Sequence, residues 1–280
     1  MPLSINTNIA SMTAQRAMLN SNSALETAFE RLSTGKRVNS SVDDAAGLAI
    51  GKDLESRVRG LDQAIRNVND GISIIQIAEG ALDEGTTILQ RMRDLAVQAA
   101  NDSLSSTERA FLETESDKLI AAFDDVVGAA KWNGSSVFTD TAFVFQTGAD
   151  AADEVSVTIG VGLASDYLDG TTDNTDADDD VLLTTHAGAQ VAITNIDAAL
   201  ADVASKRATL GATQAQFEST VRNLANVAEN TAAAAGRIMD TDYAAETANL
   251  TKAQILQQAA TSILAQANAQ PQSVLTLLQQ

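Results

Sequence analysis

Cysteine is absent from this 280-residue chain, and histidine occurs once, as His186. Without thiols the chain can form no disulfide, no zinc–thiolate or iron–sulfur site and no cysteine nucleophile. One histidine is too few for a multi-histidine metal site. These absences disfavour most enzyme mechanisms. We therefore predict a protein that is not an enzyme and that has no catalytic residue, no metal and no other cofactor.

Proline and aromatic residues are also scarce. The two prolines are Pro2 and Pro271, so the chain between them is free of the strongest helix breaker. Aromatic residues make up 4% of the sequence and hydrophobic residues 45%. A core must therefore be built from alanine, leucine, isoleucine and valine. The composition predicts long helices.

Positive charge is missing from the middle of the chain. Residues 132–205 contain no lysine or arginine but many acidic residues, and the whole chain carries a net charge of −19. This charge opposes binding to nucleic acid or to anionic lipid, so we expect neither as a partner. No apolar run approaches the roughly 20 residues of a membrane span. The first residues do not resemble a signal peptide.

Both ends of the chain lack charge of either sign. Residues 2–15 and 253–280 contain no charged side chain, and apolar residues recur in both segments at helical spacing. The termini of soluble proteins are ordinarily exposed and poorly ordered. We therefore expect these uncharged ends to be buried, either against other molecules or as a terminal pair packed on its own domain.

Apolar residues recur every three or four positions over most of the chain. From Leu54 to Ile75 the steps alternate between four and three, which is the spacing of a coiled-coil seam, and the same alternation runs through 193–238. A second apolar row on the helix over 54–100 requires neighbours on two sides. The pattern predicts helices over 3–32, 54–100, 107–130 and 189–238, and a last helix after 242.

Residues 135–188 have a different character. Phe143 and Phe145, and likewise Val155, Val157 and Ile159, alternate with other residues at a period of two, which predicts short strands. The segment 166–180 is acidic and rich in glycine, threonine and asparagine, which predicts an exposed loop. The expected fold is mainly α: an elongated antiparallel helical bundle or coiled coil with a small β-hairpin insert.

Motifs at both ends of the chain resemble the signatures of bacterial flagellin. They cover roughly 1–134 and 186–280. The N-terminal motifs lie at residues 5–8, 30–40 (ERLSTGKRVNS), 43–50 (DDAAGLAI), 70–73, 79–82 and 90–98. The C-terminal motifs lie at residues 241–246, 254–259 (QILQQA), 264–268 and 271–275 (PQSVL).

The resemblance implies a structural subunit that polymerises into the bacterial flagellar filament used for swimming. It implies a secreted protein located in the extracellular filament. The implied partners are other copies of the chain, the flagellar type III export apparatus with an export chaperone, and the hook-associated and cap proteins. The vertebrate Toll-like receptor for flagellin is a further implied partner.

The resemblance also implies a division into segments. Residues 1–43 and 242–280 would form the inner-tube helices, 44–134 and 189–241 the surrounding rod, and 135–188 the β-hairpin and acidic loop. Many flagellins carry large outer domains in the middle of the chain. The insert of this chain is too short for a second core of ordinary size.

Three groups of residues are assigned roles in this way. Asp43, Asp44 and Gly47 would form a hinge between tube and rod, and simple helix capping is an equal alternative for the two aspartates. The positions that match the receptor contact have subunit packing as their alternative, and they are Leu89, Gln90, Arg91, Leu95, Gln98 and Glu115. The terminal apolar residues would drive self-assembly, and they are Ile5, Ile9, Met12, Leu25, Phe29, Leu32, Leu256, Ile263, Leu264, Val274, Leu275 and Leu278.

Two other functions are compatible with parts of the sequence. A hook–filament junction protein shares the layout with helices at both ends but adapts or caps rather than repeats. A calcium-dependent adhesin rests on the aspartates of residues 176–180. That loop departs from the calcium-binding pattern, because Val181 stands where the pattern needs glycine and Ala187 where it needs glutamate.

Overall fold

The computed structural model describes residues 7–160 and 182–278, with side chains up to residue 269. These residues form five helices, α1 (Ile9–Thr34), α2 (Ala45–Ala99), α3 (Ser106–Ala129), α4 (His186–Met239) and α5 (Tyr243–Leu278). They also form four short strands, β1 (Lys131–Trp132), β2 (Ser135–Ser136), β3 (Phe143–Gln146) and β4 (Glu154–Val157). The predicted fold class, mainly α with a small antiparallel β insert, is confirmed. None of the helices in the described ranges offers the apolar length that crossing a bilayer requires.

Local capping determines where the helices begin and end. The side chain of Asn8 accepts a hydrogen bond from the amide of Ser11 (3.1 Å), so α1 begins at Ile9 rather than at the predicted Leu3. The same helix ends where Gly35 adopts a left-handed conformation with φ of 70°. Before α3, Ser105 forms a reciprocal capping box with Glu108.

The buried face of α2 repeats every seven residues. The sequence pattern placed Ile65 and Ile72 in the seam. The structure buries the smaller Ala64 and Gly71 instead and leaves the two isoleucines partly exposed. One buried row consists of Leu61, Val68, Ile75, Leu82, Leu89 and Ala96, and the second consists of Ala64, Gly71, Ala78, Gly85, Met92 and Ala99. These are the a and d rows of a coiled coil.

Helix α4 also buries small residues at intervals of seven, and it runs antiparallel to α2. Ion pairs join the two helices, Arg93 with Asp197 (2.6 Å) and Arg207 with Asp83 (3.0 Å). Ala192 and Ala199 are fully buried, whereas the larger neighbours that the sequence pattern placed in the seam, Ile193 and Leu200, are only partly buried. A buried row that again advances by seven consists of Ala189, Ile196, Val203, Leu210, Phe217 and Leu224.

Two β-hairpins lie between α3 and α4. Strands β1 and β2 are joined by Asn133 and Gly134, whose positive φ angles of 49° and 84° suit a tight hairpin turn. Strands β3 and β4 pair antiparallel, with Phe145 opposite Val155. Ile159, which was predicted to continue the strand, lies beyond its end. The ring of Phe145 packs edge-on against Phe217 of α4 at 5.6 Å between centroids.

The described residues form two compact units. The described parts of 1–58 and 229–280 make up one unit, and those of 59–228 make up the other. Helices α2 and α4 each contribute to both units. The first unit contains the paired terminal helices α1 and α5.

The close contact of Gly85 with Phe123 gives the first prediction. A methyl group on Gly85 would lie 2.7 Å from Cε2 of Phe123. Gly85→Ala should therefore lower the free energy of unfolding by about 1–3 kcal/mol, although alanine is the better helix former. Gly80→Ala in the same helix is the control, because nothing lies within 4 Å of its added methyl group. It should raise the same free energy by up to about 1 kcal/mol. Urea unfolding measures both, and equal effects would contradict the packing argument.

Candidate self-assembly surface

Helices α1 and α5 form an antiparallel pair. The hydroxyl of Ser11 donates to Oδ1 of Asn268 (2.8 Å) near one end of the pair, and Nε2 of Gln257 donates to Oδ1 of Asn22 (2.8 Å) near its middle. At the same end of the pair as Ser11, Nδ2 of Asn8 donates to the carbonyl of Ala267 (2.7 Å). Neutral hydrogen bonds therefore fix the alignment of two helices that carry few charges.

The seam of this pair is made of small residues. The buried positions of α1 are Ser11, Ala14, Ser21 and Ala28, and the last three advance by seven. On α5 the buried positions are Glu246, Ala253, Ala260 and Ala267, which also advance by seven. Alanine and serine let two helix backbones approach closely. The pairing of α1 with α5 therefore covers little of their large apolar side chains.

The large apolar side chains of both helices lie on the outside of the pair. Ile9 is 70% exposed, and Ile263 is 55% exposed. Of the predicted assembly residues, Met12, Phe29 and Leu256 are likewise exposed, while Leu25, Leu32 and Leu264 are half-buried. Ile5 lies outside the described residues, as do the side chains of Val274, Leu275 and Leu278. The sequence pattern missed Leu19 and Ile255, which are 68% and 60% exposed.

The breaks between α1 and α2 and between α4 and α5 are bonded to each other. The amide of Arg37 donates to the carbonyl of Met239 (2.6 Å), and the amide of Thr241 donates to the carbonyl of Gly35 (3.0 Å). The guanidinium of Arg37 also donates to the carbonyl of Ile238 (2.9 Å). The two bonds from Arg37 satisfy carbonyl groups that the end of α4 leaves free. We call residues 35–44 and 240–242 together the junction.

The predicted hinge residues lie in the junction and in the first turn of α2. Oδ1 of Asp44 accepts from the amide of Gly47 (2.9 Å), so Asp44 caps α2. Oδ2 of Asp43 accepts from the amides of Ser40 (3.0 Å) and Asn39 (3.2 Å). These bonds, with that from the Ser40 hydroxyl, lower the pKa of Asp43 below its ordinary value of 3.8. Capping is thus observed for Asp44, and the hinge role stays a prediction.

Two lysines meet one carboxylate beside the junction. Nζ of Lys52 lies 2.8 Å from Oε2 of Glu55, and Nζ of Lys36 lies 2.9 Å from Oε1 of the same residue. The hydrogen bonds from Lys52 and Lys36 lower the pKa of Glu55 from 4.5 to about 2. This contact links the junction to α2.

The residues assigned to receptor contact divide into two sets. Leu89 and Leu95 are 0% and 1% exposed, because both belong to the hydrophobic core that α2 helps to form. Gln90, Gln98, Arg91 and Glu115 are exposed. Nη2 of Arg91 lies 2.6 Å from Oε1 of Glu115, so α2 and α3 present these two side chains as a pair. A partner could therefore touch four of the six side chains without disturbing the core.

His186 has hydrogen-bond partners that give it a structural role, and the aspartates considered for calcium binding lie outside the described residues. Nδ1 of His186 lies 2.7 Å from the carbonyl of Ala100 and donates to it, and Nε2 accepts from the amide of Gln190 (3.2 Å). The acidic segment 166–180, with the aspartates considered for calcium, lies outside the described residues. Residues 7–160 and 182–278 contain no cluster of three or more acidic or histidine side chains that could hold a metal.

The fold and this surface define a coiled-coil structural protein with an outward apolar face, and comparisons with known proteins identify its family. The family model of the bacterial flagellin N-terminal helical region matches residues 5–142, and that of the C-terminal helical region matches residues 193–278. The chain belongs to the bacterial flagellin family. It is a subunit of the flagellar filament and thus a component of an extracellular structure.

Two relatives are similar to this chain over nearly its whole length. Flagellin B of Vibrio cholerae serotype O1 is 35% identical over 375 aligned positions, which cover 99% of this chain and 100% of the relative. Flagellin of Halalkalibacterium halodurans is 42% identical over 277 positions, which cover 98% of this chain and 99% of the relative. The crystal structure of Bacillus cereus flagellin covers 61% of this chain and 94% of its own, with 28% identity and a TM-score of 0.49.

The double contact of Glu55 gives a prediction about pH. Its pKa in the folded chain is lower than in the unfolded chain. The contact therefore contributes its full stabilisation of the folded chain above about pH 4.5. This contribution is lost as the pH falls towards about 2. The difference in free energy of unfolding between wild type and Glu55→Gln should shrink over this range. Asp53→Asn, which removes a carboxylate from the exposed pair with Arg57, is the control. Urea unfolding from pH 6 to about pH 2.5 measures the difference. A difference that does not change with pH would contradict the assignment.

Proposed function

We propose that the filament grows by packing the terminal helices and rod of one copy against those of the next. The observation that carries this proposal is the outward position of the large apolar side chains on α1 and α5. Each contributes roughly 1.5–3 kcal/mol when it is fully removed from water. Because the seam between the two helices uses small residues, other copies are the natural cover for the outer face.

An open filament needs an interface whose two sides differ. If one surface met its own copy, the contact would close into a dimer, whereas head-to-tail contacts between different surfaces continue indefinitely. The outer face of the α1–α5 pair is one surface of this kind. The exposed part of the rod helices is the other, and Val97, Phe111 and Val227 offer apolar side chains there.

We further propose that residues 1–43 and 242–280 line the filament tube, that 44–134 and 189–241 form the rod, and that 135–188 supply the β-hairpin and acidic loop insert. The two helix breaks at the junction support a division between tube and rod at these residues. Asp43, Asp44 and Gly47 would then adjust the angle between tube and rod. The bonds of the junction limit how far either break can move alone, so any adjustment at this point involves both.

Secretion through the flagellar type III export apparatus, with an export chaperone, is the route we propose for the chain. Its remaining partners in this proposal are the hook-associated proteins at the base of the filament and the cap protein at its tip. The uncharged composition of the two ends supports this, because an export chaperone would have to shield apolar helix faces that lack a partner before assembly.

Substitution on the outer face of α5 tests the assembly mechanism. Ile255→Ser combined with Ile263→Ser removes two side chains that are 60% and 55% exposed. The melting temperature of the monomer should stay unchanged, because both side chains are exposed in the monomer. Seeded filament growth should fall at least about tenfold, because the polymer would bury less apolar surface. Thr251→Ser with Thr261→Ser on the same helix is the control. Light scattering and electron microscopy measure growth, and undiminished growth of the isoleucine variant would refute the mechanism.

The receptor contact is proposed for the exposed members of the matching set. Purified monomer should activate reporter cells that carry the Toll-like receptor for flagellin. Arg91→Ala should weaken this activation about tenfold, because it removes a charge-bearing side chain from the exposed surface of α2. Arg57→Ala is matched to it, since Arg57 forms an equally exposed ion pair on the same helix. An inactive wild-type monomer, or equal loss in both variants, would argue against this contact.

A further inference from the structure

One charged pair, the buried Glu246 and the half-buried Arg31, lies at the otherwise neutral seam of the terminal helices. Glu246 occupies the seven-residue row that continues with Ala253, Ala260 and Ala267, so it stands where the rest of the row has alanine. Its side chain is 9% exposed, and its nearest cationic atom is Nη1 of Arg31 at 3.9 Å. A carboxylate at a core position is costly unless hydrogen bonds compensate for the lost water.

The pair is poorly satisfied within one chain. The contact of 3.9 Å is too long for a hydrogen bond. Nε of Arg31 is buried and has no hydrogen-bond partner among the described residues. The guanidinium of Arg31 thus keeps an unused donor and stands beyond hydrogen-bond distance of the buried carboxylate of Glu246.

A groove opens beside this pair and gives access to it. Its volume is about 450 Å³, and both Arg31 and Glu246 line it. The amides of Asn20 and Asn249 and the ammonium of Lys252 lie on its walls. Ala24, Ala253 and Leu256 line it as well, so the groove is partly polar and partly apolar, and it is large enough for one side chain from outside the pair. The exposed Leu256 stands on its wall, so the groove continues into the apolar face proposed for assembly.

The missing bonds define the chemistry of the group that would fill the groove. That group must accept a hydrogen bond from Arg31 and donate one to Glu246. A primary carboxamide does both, since it has a carbonyl oxygen and an NH₂ group. A carboxylate could satisfy Arg31 only and would repel Glu246. An ammonium group would do the reverse.

We propose that a glutamine side chain from α5 of a second copy enters this groove and bridges Arg31 and Glu246 in the filament. This inference rests on the proposed assembly through the terminal helices. The segment 253–280 has no charged residue but many glutamines. Three of them, Gln254, Gln258 and Gln266, are exposed on the described part of α5. The groove and the donor helix face are different surfaces, so the contact is head-to-tail and can repeat without closing.

The test compares two substitutions on opposite sides of the proposed contact in the full-length chain. Arg31→Lys keeps the positive charge but removes the fork of donors, and Arg16→Lys on the same helix is its control because Arg16 is exposed. The triple change Gln254→Ala, Gln258→Ala and Gln266→Ala removes the donors of the second copy. Seeded elongation is followed by light scattering, and the melting temperature of the monomer is followed by circular dichroism.

We expect Arg31→Lys and the triple variant each to slow elongation about tenfold, with monomer melting close to wild type. The combined variant should be no slower than the slower of the two, because both remove the same contact. Equal elongation of Arg31→Lys and Arg16→Lys would overturn the inference, as would a loss of monomer stability that accounts for the slower growth. Multiplied effects in the combined variant would exclude glutamine as the occupant. A wild-type chain that failed to elongate would instead refute the proposed assembly mechanism.

Discussion

The close approach of helices along seams of small residues is the constraint on which the other features depend. In the α1–α5 pair these residues are alanine and serine, and the second row of α2 is alanine and glycine at five of its six positions. When a helix places its small residues in the seam, its large residues lie on its other faces. In α2 the larger a row and the rings of Phe123 and Phe217 complete the core. Among the side chains of α1 and α5 that the structure describes, no second row of this kind is covered, so their apolar surface remains outside.

This arrangement explains which parts of the fold could be predicted from the sequence. Long helices followed from the near absence of proline, and helix capping was one of the two alternatives for Asp44, whose carboxylate caps α2 in the structure. The buried face was harder to predict, because hydrophobic periodicity gives most weight to the largest residues. It placed Ile65 and Ile72 of α2 in the seam, where the structure has smaller neighbours. The informative signal was the repeat of alanine and serine at intervals of seven, which hydrophobicity does not mark.

The polar features of the site could not be found by periodicity at all. Arg37 reaches the end of α4 from a position about 200 residues away in sequence, and the partner of Glu246 lies on the opposite terminal helix. Neither contact has a local sequence signature, because each depends on the antiparallel pairing of the two ends. The flagellin motifs contain these residues, but a motif does not tell which of its members bond to one another. The family resemblance identified the function, whereas the bonds of the junction required the structure.

A repeat of seven residues also explains why charged pairs are placed along the seams. If α4 slipped by one repeat along α2, small residues would still face small residues, so apolar packing alone discriminates weakly between registers. In the observed register Arg93 meets Asp197 and Arg207 meets Asp83. After a slip of seven, Arg93 would face Gln190 or Ala204, and Arg207 would face Gln76 or Gln90. Each exposed pair contributes less than about 1 kcal/mol. Both are lost together after a slip of seven in either direction. Polar groups thus supply the specificity that a uniform seam of small residues lacks.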